Sequence, residues 1–186
     1  MRPDSSGQSV LLLLDVIEVL KRERVPYAVV GAMAVSYYGI VRATLDTDAI
    51  IALPDQMDAL VRLKKLLEDA GLKAIYRRAD AVDPLLGMVI VEDHLGNQVD
   101  LILGIRGLDA GVYTRVRSIT FRGAPIDMIG PEDLIAMKVF AGSAKDIDDV
   151  KGILKVSGET IDAHLLQTLS AGYGKRAQRT LKSLLQ

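Results

Sequence analysis

Three acidic residues stand where apolar strands would otherwise run unbroken. Asp46 and Asp48 open the segment Asp46-Thr-Asp-Ala-Ile-Ile-Ala-Leu53, and Asp100 lies inside Gln98-Val-Asp-Leu-Ile-Leu103. Residues two apart in a strand send their side chains to one face, with Cα atoms roughly 6.5–7 Å apart. Two carboxylates so placed repel one another unless a cation or a proton intervenes. An acidic pair at the end of a buried strand costs stability, which is the signature of a site rather than of a scaffold. Placed beside the pair, Asp100 would complete a cluster of three carboxylates. Such a cluster suits Mg²⁺ (or Mn²⁺), which binds through a few carboxylates, several waters and substrate phosphates. The chemistry would be in-line phosphoryl transfer, with attacking and leaving oxygens both stabilised by metal. An acid-x-acid triplet on its own more often marks a turn or a solvated edge. The third acid in an apolar run, and a glycine step upstream, set this triplet apart.

That step is Tyr27-Ala-Val-Val-Gly31-Ala32-Met-Ala-Val, which reads as strand, tight turn and helix. Backbone amides at the start of such a helix are unpaired, and the helix dipole favours an anion there. Phosphates held at that point would face the carboxylates. By itself Gly31 also reads as no more than a sharp turn; the order of the parts, a glycine turn and then Asp-x-Asp 15 residues on, is what carries weight.

Gly31-Ala32 followed by Arg42-x-Thr44-x-Asp46-x-Asp48 resembles the polymerase-beta-like nucleotidyltransferase superfamily. It looks closest to the small bacterial group that includes AbiEii-type toxins and related uncharacterised proteins. The resemblance covers Tyr27 to Leu53, and extends to Gln98 to Leu103. It implies an α+β nucleotidyltransferase-like fold, a mixed β-sheet flanked by helices. It also implies transfer of a nucleoside monophosphate from an NTP, with pyrophosphate released. On that likeness Asp46, Asp48 and Asp100 are the catalytic and metal-binding acids, with Asp100 placed to activate the acceptor hydroxyl. Gly31, Ala32, Arg42 and Thr44 would bind the nucleotide. Ala32 departs from the pattern: the superfamily usually has Gly or Ser there, and alanine has no hydroxyl to offer a phosphate.

A second block lies in the C-terminal third. Gly130-Pro131-Glu132-Asp133 starts a helix, with proline at its first position and acids in its first turn. Lys138 shares a stripe with Leu134, Met137 and Ala141, so it either snorkels to water or reaches a triphosphate as a point charge. Lys145, Asp146 and Asp149 follow. Acids in a first helical turn are ordinary dipole partners. However, Pro-Glu-Asp-Leu-Ile-Ala-x-Lys and then Lys-Asp-x-x-Asp is similar to the second motif block of the same small group. That likeness implies nucleotide binding or catalysis for Lys138, Lys145, Asp146 and Asp149.

The elements that must position these residues follow from periodicity. Ser9 to Arg24 reads as a helix capped by Ser9, with Leu12, Val16, Val19 and Leu20 on one face. Tyr27 to Val30 and Asp46 to Leu53 read as strands, with a helix over Ala32 to Tyr38 between them. Pro54-Asp55 opens a helix carrying Met57, Leu60, Leu63 and Leu67, and Gly71 stops it. Strands are expected at 73–77, 88–92 and 98–103, the last two joined by a turn at His94-Leu95-Gly96-Asn97. A short helix is expected at 108–113, and a hairpin over 117–121 and 124–128 around Arg122-Gly123. Helices at 131–141, 145–156, 160–169 and 175–185 complete the chain. We read residues 1–128 as the core and 129–186 as a helical segment packed on it, one compact unit.

Composition bounds the rest. The chain has 186 residues, 23 basic and 24 acidic, and a net charge of -1, which argues against a globally basic nucleic-acid binder. It has no cysteine, so thiolate metal sites are excluded, and only His94 and His164, which argues against a multi-histidine site. Leu11 to Leu14 is too short for a membrane span and lacks a cleavage site, so the expected setting is the cytoplasm, without a membrane. Lys175, Arg179 and Lys182 form a stripe that reads as a solvated face before an RNA contact.

The leading reading is a Mg²⁺-dependent nucleotidyltransferase acting on an unidentified hydroxyl acceptor: RNA, protein or small molecule. Analogy with the AbiEii-type group alone adds a place in a toxin–antitoxin pair and a cognate toxin or antitoxin partner. The rival from another class is a catalytically degenerate nucleotide- or partner-binding module, for which Ala32 is the best support. A two-metal phosphoesterase using the same acids is a third.

Overall fold

A computed structural model describes residues 2–41, 46–53, 56–80 and 83–186, with the side chain of Gln56 left aside. The first helix, α1 (Ser9–Arg22), is nearly all apolar, and Leu11, Leu12, Leu13, Leu14, Val16, Ile17, Val19 and Leu20 are all buried. A helix this apolar belongs inside a protein. Here it lies against strands of a central sheet and a neighbouring helix. The chain then forms β1 (Tyr27–Val29), α2 (Gly31–Tyr38), β2 (Asp46–Ile51), α3 (Gln56–Asp69), β3 (Lys73–Arg78), β4 (Gly87–Glu92) and β5 (Gln98–Ile102). A hairpin, β6 (Arg117–Phe121) and β7 (Ala124–Met128), follows. The rest is helical: α4 (Pro131–Ala141), α5 (Ala144–Ser157), α6 (Ala163–Gly172) and α7 (Lys175–Leu184).

The strands form one seven-stranded mixed sheet in the order β3-β4-β5-β2-β1-β7-β6. The fold is α+β. The pairs β2–β5 and β1–β7 are parallel and the remaining pairs antiparallel. Strand β2 sits at the centre, and its Ala49, Ile50 and Ile51 are completely buried. Turn chemistry fixes the hairpins. Arg122 and Gly123 have φ of 48° and 83°, the two left-handed residues that a two-residue primed turn requires. In the β4–β5 turn, Asp93 Oδ1 accepts from the amides of Leu95 and Asn97 at 2.8 and 2.9 Å.

Several expectations need correction. Ser9 does not cap α1; Gln8 holds the cap position, and the Ser9 hydroxyl accepts instead from the amide of Gln98 at 3.1 Å. The short helix expected at 108–113 is a 3-10 turn over Ala110–Thr114, capped by Asp109. The single helix expected at 160–169 is a 3-10 turn, Gly158–Thr160, followed by α6, because Asp162 caps the amide of Leu165 and restarts the helix there. Met57 points to water at 64 % exposure, whereas Leu60, Leu63 and Leu67 are buried as their spacing implied. The proposed helix opening at Pro54-Asp55 lies outside the described residues.

Both acids in the first turn of α4 are buried and partnered. Glu132 accepts from the amide of Asp162 at 2.9 Å, tying α4 to the start of α6. Asp133, with a side chain 2 % exposed, takes a two-pronged contact from Arg115 at 2.7 and 2.8 Å. Arg115 also reaches Asp109 at 2.7 Å. These two acids hold the guanidinium firmly protonated. Arg115→Ala strands Asp133 in the interior. It should cost about 2–3 kcal/mol, less than a fully buried pair because the guanidinium keeps contact with water. Urea unfolding checks this; a loss under 0.5 kcal/mol would contradict an anchoring role.

Candidate active site

The register of the central parallel pair brings the acids together. Asp48 and Asp100 are direct partners across β2 and β5, and Asp46 is the partner of Gln98. Paired residues and residues two apart share a face, so all three carboxylates leave the same side of the sheet. Burial raises the Asp100 carboxyl above its usual range; a hydrogen bond from Gln98 to Oδ1 at 2.8 Å opposes this, and the charge of Asp46 adds to it.

Gly31 explains how the turn and the acids fit. Its φ is +63°, and a Cβ there would land inside the carboxylate of Asp48. The amide of Val30 donates to the carbonyl of Asp48 at 2.9 Å, locking the turn onto β2. Only glycine meets both demands, the left-handed backbone and the close approach. The N-terminus of α2 is therefore set directly against Asp48.

Gly31 and Asp48 share a cavity of about 220 Å³ with the second motif block. Lys138 and Asp146 line its far side, and Leu85, Ile102, Ile105, Leu134, Met137 and Phe140 make it largely apolar. The Lys138 ammonium neither snorkels free nor stands alone: it donates to Asp146 Oδ1 at 3.0 Å and pairs with Asp149 Oδ2 at 2.7 Å. Asp146 has a second task. It closes a capping box with Ser143 at the start of α5. Burial pushes its carboxyl up, but hydrogen bonds from Ser143 and Lys138, with the lysine charge, bring it below the usual range.

Asp46, Asp48, Asp100, Gly31, Lys138 and Asp146 thus lie on one face or around one cavity. Ala32 is buried in the first turn of α2. Asp149 does not line the cavity itself; it pairs with Lys138, which does. Lys145 is exposed and does not line the cavity. Arg42 and Thr44 lie outside the described residues. The stripe of Lys175, Arg179 and Lys182 is exposed to water on α7. Sequence reasoning missed Gln98, which buttresses Asp100 from two residues away, and the apolar wall from α4 and the 84–105 region. Gln98 carried a signal, since it shares the face of Asp100 in the same strand.

Among the described residues, no three Asp, Glu or His side chains stand arranged to hold one ion. The donor set still fits a hard divalent cation: it is all oxygen, it carries like charges, and one member is pushed toward protonation by burial.

Residues 12–182 match a family described as nucleotidyltransferase of unknown function (DUF6036). The chain belongs to this family. No curated protein matches. Solved structures share the fold. The antibiotic-resistance factor ANT(2")-Ia, in complex with adenylyl-2"-tobramycin, superposes with a TM-score of 0.60 at 13 % identity, over 90 % of this chain and 97 % of that one. An antigenic nucleotidyltransferase-like protein from Paracoccidioides brasiliensis gives 0.53 at 17 %, over 96 % and 92 %. The lincosamide antibiotic adenylyltransferase LnuA, with lincomycin bound, gives 0.52 at 14 %, over 83 % and 100 %. The nucleotidyltransferase superfamily that the motifs suggested is thus supported; the AbiEii-type likeness remains one of motifs.

Two outcomes follow. Gly31→Ala should destabilise the protein by about 1–3 kcal/mol, through its backbone and the displaced Asp48. A melting temperature equal to wild type would contradict the packing described. Asp146→Asn should cost about 1 kcal/mol at neutral pH through the weakened cap and ion pair. The Asp146 pKa is depressed by folding, so its contribution is present above the unfolded value and lost as pH falls. The gap between variant and wild type should therefore narrow below about pH 4; urea melts across pH 3–7 check it, and a gap that widens on acidification would contradict it.

Proposed function

We propose that the chain transfers a nucleoside monophosphate from an NTP to a hydroxyl acceptor, with divalent metal. The observation that carries this reading is the pairing of Asp48 with Asp100 across parallel strands, directly against the Gly31 turn. The triphosphate rests on the N-terminal amides of α2, where the helix dipole favours an anion. Asp46, Asp48 and Asp100 would hold Mg²⁺ or Mn²⁺, which supplies charge stabilisation at the attacking and leaving oxygens. Asp100 takes the proton of the acceptor hydroxyl. The acceptor oxygen bonds to the α-phosphorus, the bond from that phosphorus to the bridging oxygen breaks, and pyrophosphate leaves. Lys138, fixed by Asp146 and Asp149, offers its charge across the cavity, with Lys145, Arg42 and Thr44 as the remaining nucleotide neighbours.

The adenylylated tobramycin of one structural relative and the lincomycin of another support a small hydroxyl compound as one acceptor class. The motif likeness to AbiEii-type proteins supports a toxin–antitoxin setting in the cytoplasm. Among the described residues no helix is long and apolar enough to cross a membrane.

Ala32 favours a second reading, a module that binds nucleotide without turnover. Thermal melts with each of the four NTPs, with and without Mg²⁺, separate the two when coupled to a pyrophosphate assay. The transferase reading expects a Mg²⁺-dependent rise in melting temperature that the Asp46→Ala/Asp48→Ala variant lacks. At a hundredfold excess over Kd, the stabilisation is about 2.7 kcal/mol. It also expects pyrophosphate release in the presence of an acceptor mixture. Binding with no release from any acceptor would favour the degenerate module, and no binding at all would sink both.

A further inference from the structure

The carboxylate face continues beyond β5. Strand register sets Ile90 of β4 beside Asp100, and Ile75 of β3 beside Ile90. One step along, Ile102, Met88 and Arg77 form a parallel row on the same face. Ile75 and Met88 are half-buried and lie outside the hydrophobic core, whereas their strand neighbours Ala74, Val89 and Val91 belong to it; Ile90, between Asp100 and Ile75, is itself buried. At β3 and β4 the core, with α3 against β3, therefore occupies the opposite face, and the half-buried Ile102 and Met88 lead from the acids toward the sheet edge. Arg77 ends that row. It is exposed, and among the described residues it forms no salt bridge, while Lys73 on the same strand is tied to Glu92 at 2.7 Å. It stands two strands from Asp100, roughly 10 Å across and 7 Å along in Cα terms. Its guanidinium is near enough for its charge to act on the Asp100 carboxyl.

In-line transfer places the attacking and leaving oxygens on opposite sides of the phosphorus. Gly31 and β1 lie on one side of Asp48, and β5, β4 and β3 on the other. A triphosphate seated on α2 thus leaves toward β1, and the acceptor approaches over β4 and β3. We propose that Arg77 anchors the acceptor: a small hydroxyl compound with an apolar body across the half-buried Ile102 and Met88 and a phosphate group held by the guanidinium. This inference rests on the transferase reading.

Calorimetric titration with pyridoxine 5'-phosphate and with pyridoxine tests it, since the two differ only in the phosphate. Wild type and Arg77→Gln are compared, each also titrated with Mg²⁺ and a non-hydrolysable ATP analogue, and each checked for an unchanged melting temperature. Wild type should prefer the phosphorylated probe by about tenfold or more, as charge-assisted bonds to a fork of donors allow. Arg77→Gln should lose that preference and keep its affinity for the ATP analogue. Equal binding of the phosphorylated probe by wild type and variant would overturn the proposal, as would no binding of either probe. A parallel loss of ATP-analogue affinity would also overturn it, by making Arg77 a triphosphate ligand. Failure of wild type to bind the ATP analogue, with the phosphate preference intact and dependent on Arg77, would instead overturn the nucleotidyl-transfer reading and leave the anion site standing.

Discussion

The rest of the site depends on one close contact, the carboxylate of Asp48 lying over the Cα of Gly31. It holds a negative charge beside the N-terminus of α2, and it does so only because residue 31 has no Cβ. The parallel pairing of β2 with β5 then sets Asp100 against Asp48. Two carboxylates and a helix N-terminus are thereby fixed on rigid elements, not on loops. The arrangement is costly without a ligand, since burial and Asp46 both raise Asp100. On the transferase reading proposed above, a cation would relieve this repulsion and a triphosphate would bind to the cation and to the helix amides together.

The C-terminal helices serve that face from the other side of the cavity. Arg115 and Glu132 pin the first turn of α4 from two directions. That fixes the helix on which Lys138 rides, and the capping box at Ser143 fixes the acids that hold its ammonium. Local helix chemistry and the electrostatics of the site share one residue, Asp146. This coupling makes the ammonium a positioned charge.

The placement of the acids on strands and on one face was legible because a period of two and an apolar run are both local signals. Gly31 was legible for the same reason. The register of β2 against β5 was not, since nothing local says which acid faces which. Arg77 was invisible because it joins the carboxylate face only through two strand pairings. The acids of α5 read from sequence as dipole partners or as site residues, and Asp146 contributes a cap and an ion pair together. At Asp162 a capping side chain restarted a helix that periodicity alone ran straight through. Ser9 was misread because its hydroxyl serves a distant strand, which no helix rule anticipates.

The central claim is that the face of Asp48 and Asp100 holds metal and triphosphate together against Gly31. Anomalous diffraction from crystals grown with Mn²⁺ and a non-hydrolysable NTP tests it most directly. The account predicts a manganese peak flanked by the Asp48 and Asp100 carboxylates, with phosphate density at the N-terminus of α2. Nucleotide bound elsewhere, or a triphosphate at α2 with no manganese between those carboxylates, would contradict it.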